Sequence, residues 1–234
     1  MSSEERRLNV IEFPPLYPHQ RDVLDAVDDA RRDGKRVVVV SKRQVGKSLL
    51  ACLLLIKACL EESGTACIIS PTLSQSRKVF KDIVTMMIGS GAIASANKQT
   101  LEIDWVTGSQ LLCRSGEQGD NLRGMTVTSL LIFDEASFLR DDVFEIMYPT
   151  CDVHRAPILF ISTPLFRDGE FYRQYMNPNN VRFNWSDYDL SEFLSAERLE
   201  EYRLTMSPMK FKSEILGQFL DEGGLVFENF AQCI

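Results

Sequence analysis

Four consecutive valines, Val37 to Val40, run into Ser41-Lys42-Arg43-Gln44-Val45-Gly46-Lys47-Ser48 and then into the apolar stretch Leu49-Leu50-Ala51-Cys52-Leu53-Leu54-Leu55. A β-branched run of this kind makes a strand buried on both faces, which belongs in a parallel sheet covered by helices. A loop ending in Gly-Lys-Ser turns its backbone N–H groups toward an anion at the start of the following helix. The order is therefore strand, phosphate loop, helix. It sets Lys47 on the β- and γ-phosphates of a nucleotide and Ser48 on magnesium. Ser41 stands where the pattern G-x-x-x-x-G-K-[ST] has its first glycine, so the match is incomplete. A core strand and helix joined by a polar turn also accounts for these residues.

A second run, Leu130-Leu131-Ile132-Phe133-Asp134-Glu135, ends in two adjacent carboxylates. Paired acids at a strand end have separate tasks in phosphate-loop ATPases. Asp134 holds the magnesium shell, and Glu135 orients the water that attacks the γ-phosphate. Asp134 also reads as a simple cap on a helix starting near Ala136. The two motifs in this order, each behind a buried-strand pattern, are more specific together than either alone.

With 234 residues and 44% hydrophobic content the chain buries a sizeable core and reads as one domain, with no room for a second full one. No apolar run is long enough to span a membrane, and Met1-Ser2-Ser3-Glu4-Glu5-Arg6-Arg7 has no signal-peptide core, so a cytosolic protein is expected. Six cysteines (Cys52, Cys59, Cys67, Cys113, Cys151, Cys233) show no C-x-x-C pairing and lie mostly in apolar runs, as reduced, structural thiols do. His19 and His154 lie far apart, and no transition-metal site is expected. The net charge of −7 argues against a broad basic surface that binds nucleic acid by charge alone. Local patches remain at Arg31-Arg32-Asp33-Gly34-Lys35-Arg36 and around Arg77-Lys78, Lys81 and Lys98, which read equally as solvated faces.

Strand and helix signals alternate, which predicts an α/β fold with a mostly parallel central sheet flanked by helices. Helices are predicted near 20–32, 47–62, 73–88, 139–147, 169–176, 195–206 and 208–217, and strands near 36–40, 66–70, 128–133, 157–162 and 181–185. Leu101-Glu102-Ile103-Asp104-Trp105 and Gln110-Leu111-Leu112-Cys113 flank Thr107-Gly108, which suits an added β-hairpin. Ser207-Pro208 is a helix start. Asp221-Glu222-Gly223-Gly224 reads as a hinge, and Leu225-Val226-Phe227 as the beginning of a further element.

Polar clusters at the remaining strand ends complete one layout, because ligands of α/β proteins bind there. Tyr17-Pro18-His19-Gln20 precedes a helix, and a glutamine amide can pair with both N6 and N7 of adenine, although Gln20 also fits an ordinary first helical turn. Ile69-Ser70-Pro71-Thr72, Asp120-Asn121-Leu122-Arg123-Gly124 and Ile161-Ser162-Thr163-Pro164 follow. Read plainly, Arg123 is a surface arginine and Ser162-Thr163-Pro164 a strand-to-loop turn.

In this order the motifs resemble the ATPase domain of the large terminase subunit, the DNA-packaging motor of tailed double-stranded DNA viruses, from about Tyr17 to Phe227. That family's phosphate loop commonly lacks the first glycine and carries Arg-Gln before x-Gly-Lys-[Ser/Thr], as Arg43-Gln44-Val45-Gly46-Lys47-Ser48 does. The resemblance implies ATP binding by Tyr17, Gln20, Ser41, Lys42, Arg43, Gln44, Val45, Gly46, Lys47 and Ser48. It implies catalytic roles for Glu135, Arg43 and an arginine finger at Arg123, with magnesium on Ser48 and Asp134 and coupling through Ser162 and Thr163. It further implies an ATPase domain over 1–220 and a linker over 221–234, with Phe211-Lys212-Ser213-Glu214 through Phe219 at the exit toward a nuclease domain. Nothing follows Ile234, as expected of an excised ATPase domain. ATP and Mg2+ are the implied cofactors, and double-stranded DNA, further copies in a ring, a portal protein and a small terminase subunit the implied partners. No membrane partner is implied, and the place of action is the cytoplasm of an infected host cell.

Two other functions share these motifs. A superfamily 2 helicase has the adenine glutamine, the phosphate loop and the Asp-Glu pair but needs a second motor domain, for which the length leaves no room. A non-catalytic nucleotide-binding subunit has no need of Glu135 poised for an attacking water.

Overall fold

Val37–Val40 forms strand β1, and its side chains divide between two cores: Val37 and Val39 pack on one face of the sheet, Val38 and Val40 on the other. A strand covered on both faces has no position for a polar side chain, hence four valines. The computed structural model describes residues 9–10, 12–187 and 195–221. Seven further strands join β1: β2 (Thr65–Ser70), β3 (Ile93–Asn97), β4 (Glu102–Trp105), β5 (Gln110–Ser115), β6 (Leu130–Asp134), β7 (Ile158–Ser162) and β8 (Val181–Asn184). They form one eight-stranded sheet in the order β3-β4-β5-β2-β6-β7-β1-β8. All pairings from β5 through β8 are parallel, and only β3 with β4 and β4 with β5 run antiparallel.

Helices α1 (Pro18–Asp33), α2 (Lys47–Glu61) and α3 (Leu73–Met86) cover one face, and α4 (Asp141–Asp152) and α5 (Gly169–Met176) the other; α6 (Ala196–Thr205) buries no residue. The first core closes around Leu50, Leu54, Leu55 and Ile83, and the second around Phe133, Phe144 and Phe160. In the second, Phe133 lies 4.7 Å from Phe144 and 5.1 Å from Phe160 between ring centroids, within the range where aromatic pairs attract. Helix α3 starts on a capping box: Thr72 Oγ1 accepts the Gln75 N–H at 3.3 Å, and the Thr72 N–H reaches Gln75 Oε1 at 3.0 Å.

The predicted hairpin is present as β4 and β5, and β5 lies parallel beside β2, which joins it to the main sheet. Strand β3 was not predicted. Its last four residues, Ala94-Ser95-Ala96-Asn97, are exposed on the sheet edge, so they carry neither the apolar alternation nor the β-branched content that marks a strand. Three predicted boundaries also shift. No helix begins at Ala136, where a single 3₁₀ turn (Ala136–Phe138) intervenes before α4 starts at Asp141. Helix α4 runs past Pro149 to Asp152, because Met147 and Cys151 on its inner face remain locked in the core. The helix predicted over 208–217 is one turn, Pro208–Lys210, followed by a wider π-type turn, Phe211–Ile215.

Cys52, Cys59, Cys67, Cys113 and Cys151 are buried and unbridged. Burial pushes the Cys52, Cys59 and Cys67 thiols up to about 12, far from reactivity. Cys233 and most of the predicted hinge and linker (222–234) lie outside the described residues. Among the described residues no helix is long and apolar enough to cross a membrane.

Candidate nucleotide-binding site

Because β6, β7 and β1 are neighbours, the segments leaving their C-terminal ends converge, bringing Ser41–Ser48, Asp134-Glu135 and Ser162-Thr163 together. The first is anchored from three sides. Ser41 prolongs the ladder through its N–H to Ser162 O at 3.0 Å, and its buried hydroxyl donates to Lys42 O at 2.8 Å. Gly46 adopts φ +84, and a Cβ there would lie 2.3 Å from Gln20 Nε2, so glycine is required both for the turn and for the close approach. Gln44 holds the left-handed region as well, at φ +65.

Gln20 is fully buried, and its amide is engaged at both ends: Oε1 accepts the Tyr17 N–H at 3.0 Å and Nε2 donates to Gly46 O at 3.2 Å. It ties the start of α1 to the phosphate loop. The glutamine that the sequence associates with adenine is thus also a buried tie between the helix start and the loop backbone. His19 adds a second tie, with Nε2 3.2 Å from Val45 O. Tyr17 stacks on His19 at 5.7 Å, and Trp185 meets the His19 edge at 4.6 Å between centroids. His19 was named in sequence within the Tyr17-Pro18-His19-Gln20 cluster, and Trp185 was not singled out; aromatic residues far apart in the chain give no local signal.

Lys47 opens α2 with its ammonium group turned back into the loop, 3.1 Å from Lys42 O and 3.6 Å from Glu135 Oε1. Burial lowers its pKa, opposed by the charges of Glu135 and Asp134. Asp134 ends β6, buried, with Ser70 Oγ 3.5 Å from its Oδ2. Burial first, and then the neighbouring Glu135 charge, push its carboxyl up to about 6, against the pull of Lys47. Glu135 is a non-glycine residue in the left-handed region, at φ +46 and ψ +48. Such a conformation costs about 1–2 kcal/mol and is held by its surroundings. Here it turns the carboxylate from the strand direction toward β7, where Oε2 lies 3.3 Å from Ser162 Oγ, Thr163 N and Thr163 Oγ1. The Ser162 hydroxyl also lies 2.7 Å from Thr163 O and accepts the Ser137 N–H at 3.1 Å. One proton cannot serve Glu135 and Thr163 O together, so this hydroxyl can switch partners.

Two expected site residues are exposed. Arg43 extends outward, 62% exposed, with Nε 3.2 Å from Glu214 Oε2. Arg123 is exposed on the turn after a 3₁₀ segment, Gly116–Leu122, that follows β5. Strand β5 is four places from β1 in the sheet, about 19 Å at ordinary strand spacing. Lys47 with the loop amides can hold a polyphosphate, and Asp134 with Ser48 offers the hard oxygen donors that magnesium takes along with water and phosphate.

Fold and site together define a phosphate-loop α/β protein, with two acids at the end of a strand separated from the loop strand by one other. Residues 41–232 match the family "Terminase large subunit, T4likevirus-type, N-terminal", and the chain belongs to that family. No curated protein matches. Among solved structures, the ATPase domain of the Thermus phage P74-26 large terminase is similar at a TM-score of 0.71 and 22% identity, covering 89% of this chain and 95% of that one. A large terminase from a thermophilic bacteriophage, in complex with ADP, is similar at 0.71 and 17%, and the HK97 bacteriophage large terminase at 0.71 and 21%. This chain spans about half the length of the latter two, 54% and 53%. The UvsW helicase of bacteriophage T4 is more distant, at 0.53 and 15%.

Proposed function

We propose that this chain is a Mg2+-dependent ATPase, the motor domain that drives double-stranded viral DNA into a procapsid as part of a ring of identical subunits. Family membership supports the packaging role, and one observation carries the chemistry: Glu135 is turned out of its strand into the space between Lys47 and Ser162-Thr163. A carboxylate that served only a structural ion pair would need no left-handed backbone. In this reading Lys47 and the loop N–H groups bind the β- and γ-phosphates of ATP, Asp134 and Ser48 hold the magnesium ion, and Glu135 orients the attacking water. Magnesium supplies charge neutralisation at the phosphates when bound. Loss of the γ-phosphate would free the Ser162 and Thr163 hydroxyls to repartner, which passes the event to Pro164 and beyond. Arg123, facing outward, is assigned to the ATP held by an adjacent subunit; DNA, portal and small terminase subunit are the proposed partners.

The deciding experiment is ATP turnover by the purified protein across protein concentration, with and without duplex DNA. Turnover that rises with both supports an assembled DNA-dependent motor. Nucleotide binding without turnover under any of these conditions would leave a binding subunit. Lys47→Ala should abolish measurable nucleotide binding, and Thr163→Val in the full-length protein should lower DNA moved per ATP consumed.

A further inference from the structure

Three elements that reach the nucleotide site have basic residues at their other ends, on the opposite edge of the sheet. Helix α1 begins near Gln20 and ends with Arg31 and Arg32 in its last turn, and Gly34-Lys35-Arg36 leads from it into β1. Strand β1 then runs about 13 Å toward the phosphate loop. Its neighbour β7 ends at Ser162, beside Thr163, and Arg155 comes three residues before its start. Because β1 and β7 pair in parallel, with Val37 opposite Leu159, the approaches to the two strands lie side by side.

Part of this charge is already answered. Arg31 pairs with Glu62 and Arg32 with Asp29, while Lys35 Nζ lies 3.8 Å from Asp33 Oδ2. The last turn of a helix also favours cations. Arg36 and Arg155 differ, since among the described residues neither has a carboxylate partner. Arg36 Cζ instead lies 3.9 Å from the centroid of the Tyr148 ring. Arg155 is exposed and holds left-handed backbone, at φ +50. Both line one cavity of about 380 Å³ with Arg32 and Lys35, against the carboxylates of Asp33 and Asp152. Gly34, at the tip of the turn, stands in open space, where a Cβ would meet nothing within 4 Å.

We propose that Arg36 and Arg155 hold the phosphate backbone of duplex DNA at the edge of the sheet opposite the nucleotide. A guanidinium supported on an aromatic ring presents a planar fork of donors that fits phosphate. In a chain of net charge −7, attraction to a polyanion has to be local, and here two cations without acid partners share one groove. Phosphate contacts fix position without reading sequence, as a motor that moves along DNA requires. DNA at one end of β1 and β7 and nucleotide at the other are then joined by two short, buried strands. This inference rests on reading the chain as a DNA motor.

The test is the affinity for unrelated duplexes of about 30 base pairs, read by fluorescence anisotropy across a salt series. Arg36→Ala and Arg155→Gly should each weaken binding about eightfold at about 0.1 M salt and lower the slope of log affinity against log salt by about 0.9. The loss should be the same for every duplex sequence. Arg155→Gly relaxes a left-handed backbone, so its effect does not come from a damaged fold. Arg36→Lys keeps the charge and should restore the slope. A patch that is merely solvated predicts unchanged affinity and slope in the double variant, and that result overturns the proposal. A loss confined to Arg77→Ala with Lys81→Ala, on α3, overturns it as well. Wild-type protein that binds no duplex at low salt would instead remove the motor reading on which it stands.

Discussion

Asp134 and Arg123 belong to opposite kinds of surroundings. Asp134 ends a strand whose every side chain is buried, and the polar residues beside it, Ser41, Ser70, Ser162 and Thr163, are buried too. Arg123 follows β5 on the antiparallel side of the sheet, where the outermost strand exposes four of its five residues. In the first region charges are set against one another at fixed distances, and burial changes what they are. In the second a charge is presented outward. The lesson is that the charges of the first region are held by one another under cover, while those of the second lie on an open sheet edge.

The most severe way to break this division is Arg123→Ala. It should keep nucleotide affinity and lose on the order of 10³-fold or more in turnover, the range for a missing arginine finger. Mixed with Glu135→Ala under conditions of subunit exchange, it should regain part of the activity that both lack; no recovery would place Arg123 in cis or outside catalysis. Next in size, Glu135→Ala alone should retain nucleotide and lose about 10²–10⁴-fold in single-turnover hydrolysis. Normal hydrolysis would remove Glu135 from the chemistry.

A pair of glycines compares the two regions by stability alone. Gly46 and Gly124 both hold left-handed backbone, at φ +84 and +82, but a Cβ at Gly46 would strike Gln20 while nothing lies within 4 Å of one at Gly124. Gly124→Ala should cost about 1 kcal/mol and Gly46→Ala about 2–3 kcal/mol in denaturant unfolding. Equal losses would show that the loop shifts to absorb the clash, so that Gln20 does not fix it.

The smallest effect concerns Asp134, whose carboxyl titrates near 3.8 when unfolded and about 6 when folded. Between those values the folded protein holds more protons, so this group's contribution to stability falls as pH rises through the window and is lowest above pH 6. Magnesium held by this carboxylate, as proposed, would offset that loss. Thermal melting should therefore shift upward with Mg2+ by more at about pH 7.5 than at about pH 5, and equal shifts would take Asp134 out of the metal site.

Much of this was legible in the chain. Consecutive valines before Gly-Lys-Ser, and Leu-Leu-Ile-Phe before Asp-Glu, announce buried strands with polar ends, because a strand covered on both faces tolerates nothing else. The hairpin was legible from Thr107-Gly108 between alternating runs. Strand β3 was not, since an exposed edge strand of small residues is held by its neighbour's backbone and not by its own side chains. The wide turn at Phe211–Ile215 was hidden because its apolar spacing imitates a helix.

For the site, sequence determined which groups are present and roughly where they attach: Lys47 at a helix start, Asp134 and Glu135 at one strand end, Ser162 and Thr163 at another. Their mutual placement came from the tertiary structure, through the strand order that puts β7 between β6 and β1. Only the folded chain could turn Gln20 inward onto Gly46, rotate Glu135 toward Ser162, and bring Glu214 to Arg43. The physical reason is that local sequence governs backbone preference and burial over a few residues, whereas a hydrogen bond or ion pair between distant segments depends on distances set by packing the whole sheet.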